Sequence, residues 1–326
     1  DNTMNKRNLI SALVLSCFGL GVQAQGAAYP NKPIRLVVGF APGGAADYVA
    51  RAMSDAMGKT LGQAIIVENR AGAGSSIAAE NVAKAAPDGY SVLLASPSSI
   101  SVNPALNPKL NYTAKDLVPV TKVTTSPLVI AANPASGINS VQDLIARAKQ
   151  APGKINYATS GNGSAPHLGA ALFTQLTGVE MTHIPFRGGG PAIQSVIAGD
   201  TQVTFGTPPS VLPMVQAGRL KGLAVSTRNS TPLVPGVPGM QEAGLPAYAI
   251  EFWYGLFVPV GTPPAVMKKI FDAAHSAMNQ PSVKAALARE GTDVSLSATP
   301  DQFAAFLQED AKFWVTLVKS AGVKID

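Results

Sequence analysis

The chain has almost no cysteine: Cys17 is the single one in 326 residues, and it lies inside an N-terminal apolar run. A disulfide framework is excluded, and so is thiol chemistry in any product that loses that run. Charge is scarce as well. Asp, Glu, Lys and Arg make up 13% of the residues, and the net +6 arises from scattered lysines and arginines, with no basic run interleaved with aromatics. Such a distribution steers small anions weakly and offers no nucleic-acid surface. No apolar run reaches the roughly 20 residues that a membrane helix needs. The three histidines, His167, His183 and His275, have no metal-ligand spacing to one another or to acids. A P-loop motif is absent, and Gly72-x-Gly74 is followed by Ile77 where the dinucleotide fingerprint needs a third glycine. Neither a metal nor a cofactor is expected.

What is present begins with an export signal. Met4-Asn5-Lys6-Arg7, the apolar run Leu9 to Val22 and then Val22-Gln23-Ala24 have the three-part form of a secretory leader. Residues 1–24 are read as a few added residues plus this leader, and Val14-Leu15-Ser16-Cys17 matches a lipobox poorly. The remaining chain, 46% hydrophobic over the whole sequence, is long enough for one large or two medium domains.

β-rich and helical patterns alternate along it. Ile34 to Phe40 reads as a buried strand, and Ala46, Val49, Ala50, Met53, Ala56 and Met57 share one helical face. Ala64 to Val67, Ile77 to Ala85 and Ser91 to Ala95 extend an α/β unit with a mostly parallel sheet. A second α/β series begins at Leu128 and runs to Val225, followed by a Pro- and Gly-rich loop from Asn229 to Pro246. Glu251 to Pro259 reads as a strand, and helices are expected near Pro264 to Asn279, Ser282 to Glu290 and Pro300 to Ser320.

Two such blocks imply a cleft, and ligands of open parallel sheets sit beyond the carboxyl ends of strands. Four glycine turns lie at such ends: Ala41-Pro42-Gly43-Gly44, Ala71 to Ser76, Ser160-Gly161-Asn162-Gly163-Ser164, and Gly188-Gly189-Gly190. Glycine lets backbone N–H groups face an open space, and the helix behind adds partial positive charge, so an anion fits without a lysine. Any one of these turns alone is equally a tight strand-to-helix connection.

Six stretches, in order, carry a resemblance: "YPNKPIRLVVGFAPGGAADYVAR", "ENRAGAGSSIAAENVAKAAPDGYSVLLAS", "INYATSGNGSAPHLGAALFTQLTG", "HIPFRGGGPAIQSVIAGD", "GLAVSTRNSTPLVPGVPGMQEAGLP" and "FWYGLFVPVGTPPAVMKKI". The chain resembles the Bug, or TctC, family of extracytoplasmic solute-binding proteins that serve tripartite tricarboxylate transporters. The resemblance implies a two-domain, type II-like periplasmic-binding fold that closes like a Venus flytrap. Domain one would comprise 25–127 and 254–326 and domain two 128–253, with hinge crossings near 127–133 and 253–259. It further implies a periplasmic monomer without enzymatic turnover, which takes a small carboxylate and hands it to membrane subunits of the transporter.

In that family two loops grip a carboxylate, here Phe40, Ala41, Pro42, Gly43, Gly44 and Asp47, and Ser160, Gly161, Asn162, Gly163, Ser164 and His167. Ser98, Ser99, Gly188, Gly189 and Thr207 are candidates for the far end of the ligand. Several residues keep two readings. Asp47 orients the loop or simply favours the first helical turn. His167 braces its helix or, with Ser164, forms a secreted serine hydrolase, although no Gly-x-Ser-x-Gly elbow surrounds Ser164. Arg187 meets a second carboxylate or lies in water, and Trp253 lines the cleft or packs the hinge. The ligand class stays open among dicarboxylates, tricarboxylates, acidic amino acids and aromatic acids such as terephthalate. The paucity of charge near the motifs leans toward an uncharged or aromatic body.

Overall fold

The structure, a computed structural model, describes residues 28–323. The expected leader, its cleavage site and Cys17 lie outside the described residues. None of the described helices is long and apolar enough to cross a membrane.

Two sheets organise the chain. Strand β1 (Ile34–Val38) pairs in parallel with β2 (Ile65–Asn69) on one side and β3 (Ser91–Ala95) on the other. Helix α1 (Ala45–Leu61) buries the face Ala46, Val49, Ala50, Met53, Ala56 and Met57 against them and stops at Gly62, whose φ of 69° few other residues adopt. Each buried Val or Met of that face contributes about 1.5–3 kcal/mol of transfer free energy. The remaining strands of this sheet are β4 (Leu117–Pro127), β10 (Glu251–Pro259) and the short β11 (Asp293–Val294), giving the order β11-β4-β10-β3-β1-β2.

The second sheet comprises β5 (Val129–Ala132), β6 (Asn156–Thr159), β7 (Thr182–Pro185), β8 (Val203–Gly206) and β9 (Lys221–Val225), in the order β7-β6-β8-β5-β9. Both sheets follow one plan. In the first, β10 runs antiparallel between β3 and β4; in the second, β5 runs antiparallel between β8 and β9. The inserted strand in each case is the one that follows a crossing between lobes, so the parallel character expected from the sequence holds for the other main strands.

The crossings lie side by side. β4 passes into β5 through Leu128 alone, and Glu251 at the start of β10 faces Pro127. The buried Ser226 hydroxyl ties them, accepting from the Leu128 N–H at 2.7 Å and donating to the Ile250 carbonyl. Further helices cover the sheets: α2 (Ser76–Ala83), α3 (Asn103–Leu106), α4 (Val141–Gln150), α5 (Ala165–Thr177), α6 (Gly189–Ala198), α7 (Pro208–Gln216), α8 (Pro264–Met278), α9 (Pro281–Arg289) and α10 (Pro300–Ser320). Helix α10 serves both lobes: Phe303 packs with Trp253 and Phe257 in the first, while Trp314, Leu317 and Val318 join Phe173 and Phe205 in the core of the second. Between them, Asp310 accepts an indole N–H from Trp253 and from Trp314, each at 2.9 Å.

The sequence reading has no element between Ala95 and Leu128, where the structure places β4, α3 and the buried turn Ser98–Val102. Two prolines and a lysine interrupt the pattern of Leu117–Pro127, yet the strand forms because β10 covers its whole length.

Candidate functional site

The two lobes meet where strands end and helices begin. The Ala41 N–H donates to the Arg187 carbonyl across the cleft at 3.3 Å. Gly188 permits that approach, since a Cβ there would stand 2.9 Å from the Ala41 Cβ.

Behind this contact lies an inner chamber of about 20 Å³, room for one water, walled by Phe40, Gly44, Ala45, Ala46, Ser160, Ser164, Ala165, Pro166, Gly189, Thr207, Ser210, Phe252 and Tyr254. Four helices begin at this wall: α1 after Gly44, α5 after Ser164, α6 after Gly188 and α7 after Thr207. None of those preceding residues makes a side-chain cap. Helix starts leave N–H groups without intrahelical partners, and the aligned peptide dipoles place positive potential there. The wall carries no Asp, Glu, Lys, Arg or His. Its one titratable group, the Tyr254 phenol, is pushed up by burial and stays neutral. The chamber is therefore an electropositive pocket built from backbone, suited to an anion.

The Phe40–Gly44 and Ser160–Ser164 loops are held from outside the chamber. Asp47 accepts from the Gly43 N–H at 3.0 Å and from Asn69 at 3.0 Å, and pairs with Arg51 at 2.9 Å. Burial alone raises such a carboxyl, but the Arg51, Gly43 and Asn69 hydrogen bonds outweigh it and hold Asp47 below its ordinary value. Asp47 thus braces the Phe40–Gly44 turn, and its position in the first turn of α1 suits the dipole as well. Gly43, at φ 81°, gives the turn its left-handed step.

The second loop has two braces. Buried His167 accepts the Gly163 N–H on Nδ1 at 3.0 Å, and His183 Nε2 lies 2.6 Å from Thr159 Oγ1, which accepts the Gly161 N–H at 3.2 Å. The two imidazoles stack with centroids 3.9 Å apart. Burial, and then the neighbouring His183, lowers His167 to about 3, while burial lowers His183 to about 4. Ser164 Oγ donates to the Gly161 carbonyl at 2.7 Å and makes no hydrogen bond to His167. A serine nucleophile there lacks its base, and the pair that a hydrolase would need is not assembled.

An outer chamber of about 430 Å³ adjoins the inner one, the two sharing Phe40 and Ser160. Gly39, Ala71 to Ser75, Ile77, Gly161, Asn162 and Pro185 to Arg187 complete its wall. Of the candidates, the inner chamber gathers Phe40, Gly44, Ser160, Ser164, Gly189 and Thr207, and the outer one adds Gly161 and Asn162. Ala41, Pro42, Gly43, Asp47, Gly163, His167 and Gly188 support these walls without lining them. Ser98 and Ser99 do not join either wall: both are fully buried in the Ser98–Val102 turn, where the Ser99 carbonyl accepts from Tyr112. Trp253 is not a cleft residue either. It faces Asp310 and Phe303, and strand alternation sends its neighbours Phe252 and Tyr254 to the chamber. Those two and Ser210, whose buried Oγ has no hydrogen-bond partner among the described residues, carry no motif in the sequence. His275 stacks on Phe271 far along α8, and no group of three His, Cys, Asp or Glu among the described residues is placed to hold a metal.

Comparison with known proteins matches residues 49–323 to the family described as tripartite tricarboxylate transporter family receptor. Protein BugT of Bordetella pertussis is 34% identical over 326 residues, covering 99% of this chain and 100% of the relative. Among solved structures, the periplasmic binding protein BugD superposes with a TM-score of 0.86 at 30% identity, covering 91% of this chain and 99% of its own. MatC from Rhodopseudomonas palustris, solved with bound malate, does so with a TM-score of 0.84 at 32% identity, covering 89% and 100%.

Proposed function

The chain belongs to the tripartite tricarboxylate transporter receptor, or TctC, family of solute-binding proteins, and on that premise we propose that it captures a small organic carboxylate between its lobes and delivers it to a transporter of that type. The observation that carries this reading is the convergence of four uncapped helix N-termini on one chamber without a charged side chain. A carboxylate there is stabilised by backbone dipoles alone and leaves no buried cation behind when it departs, so that binding stays reversible. Dicarboxylates come first as ligands because MatC is solved with malate. Residues 25–127 with 254–326 and residues 128–253 act as the closing domains. We place the return crossing just before Glu251, where β10 joins the first sheet, and let α10 clasp both lobes. The protein works as a periplasmic monomer, with the membrane subunits as its partners.

The test is a thermal-shift screen against mono-, di- and tricarboxylates, with hits confirmed by calorimetry, on wild type and Gly44→Asp. A ligand that binds only the folded state raises the midpoint. Gly44 has extended backbone (φ −93°, ψ 175°), so an Asp there caps α1 and puts a carboxylate at the chamber. The variant should keep or gain stability and lose binding. A panel without a hit, or a Gly44→Asp protein that binds as wild type does, overturns the reading.

A further inference from the structure

The inner chamber holds about one water, so an acid whose carboxylate enters it must extend its body through the neck at Phe40 and Ser160 into the 430 Å³ outer chamber. Among the residues walling that outer chamber, Arg187 is the one ionisable group, and no carboxylate side chain shares the wall. Neighbouring arginines already have acidic partners: Arg51 pairs with Asp47, and Arg35 and Arg70 share Glu68. Arg187 has no acidic partner among the described residues. Its own carbonyl accepts the Ala41 N–H across the cleft, so the guanidinium rides on the segment that meets the carboxylate loop. Phe40, at the neck, and Phe186 line the same chamber as this cation.

We propose that Arg187 is a distal anion subsite, and that the outer chamber selects acids with a second carboxylate carried on an apolar spacer between Phe40 and Phe186. The proposal deepens the function given above and rests on it. The guanidinium fork matches a carboxylate with two parallel N–H donors, which a lysine does not offer. Arg187 is exposed, so the pair is partly screened and its contribution falls with salt.

The experiment compares length-matched acids by calorimetry: hexanoate with adipate, and benzoate with terephthalate, on wild type, Arg187→Gln and Arg187→Lys. Wild type should bind the diacid of at least one pair about tenfold more tightly than its monoacid, a typical result for one charged hydrogen-bonded contact. Arg187→Gln should erase that preference while leaving the monoacid affinity and the melting temperature unchanged, and Arg187→Lys should retain part of it. A diacid preference that survives Arg187→Gln, or mono- and diacid affinities that fall together, overturns the subsite while the carboxylate reading stands. Wild type that binds none of the acids in this set or the wider carboxylate panel overturns both.

Discussion

His167→Asn keeps an acceptor where Nδ1 receives the Gly163 N–H and removes the group that titrates. A base whose folded pKa lies below its unfolded value contributes full stability above the unfolded pKa and loses it as pH falls toward the folded one. For His167 that window runs from the ordinary 6.5 down to about 3. Within it the unfolded chain binds one proton more, worth about 1.4 kcal/mol per pH unit. Between pH 7 and pH 4.5 this one ring should therefore withdraw about 2.5 kcal/mol, a large part of the 5–15 kcal/mol typical of a domain. Urea unfolding at pH 7.0, 5.5 and 4.5 measures it as the difference in pH slope between wild type and variant; His183 is present in both, so its own titration largely cancels. Ligand affinity behaves differently. At pH 5 only about 1% of folded molecules carry a protonated His167 at that pKa, so affinity for a fully ionised acid should stay flat from pH 7 to 5 while stability declines. Equal slopes in the two proteins would refute the buried, neutral imidazole on which the brace depends.

Two further outcomes follow from strained or desolvated groups. Ser75 sits at φ 76° with a buried hydroxyl that has no hydrogen-bond partner among the described residues, so Ser75→Gly should stabilise the protein by about 1 kcal/mol, the left-handed penalty less the added chain entropy, read as a rise in the urea midpoint. An unchanged or lowered midpoint would mean that the hydroxyl is bonded in solution. Burial raises Asp310 to about 6 despite its two indole donors and Lys122. An acid raised in the folded state loses stability as pH climbs from its unfolded value, so wild type should lose about 2 kcal/mol relative to Asp310→Asn between pH 4 and pH 7; parallel curves would place the carboxylate in water.

Much of the fold was legible because its periodicities are long and their ends are marked. The last three helices fall within two residues of the expected bounds, each opened by proline, and Ser91–Ala95 and Glu251–Pro259 match residue for residue. β4 was hidden because its signal lies in a partner 124 residues away, as in the pairing of Glu251 with Pro127. The site divides similarly. Each glycine turn announces a place where backbone faces open space, but the letters do not say which turns converge. The first, third and fourth meet at the inner chamber, whereas Ala71 to Ser75 belongs to the outer one. Tyr254, Phe252 and Ser210 were illegible for a simpler reason: a strand buried on both faces offers no alternation, and a serine in the first turn of a helix is ordinary.

The chamber's helices are unevenly shared, and on the proposed function this sets the order of events. α5, α6 and α7 come from the second lobe and α1 alone from the first. An anion that meets three helix starts, each worth about 0.3–1 kcal/mol, is held by the second lobe before the cleft shuts. Closure then adds the α1 terminus, the Phe40 neck and the Ala41 to Arg187 hydrogen bond. Because Asp47 fixes the Gly43 N–H in advance, that last step orders little backbone, and the free energy of contact goes into closing the lobes. An Asp47→Ala variant would therefore be expected to release ligand faster at a nearly unchanged association rate, a result that stopped-flow binding reads directly. A slower association with an unaltered release rate would place α1 at the first encounter instead.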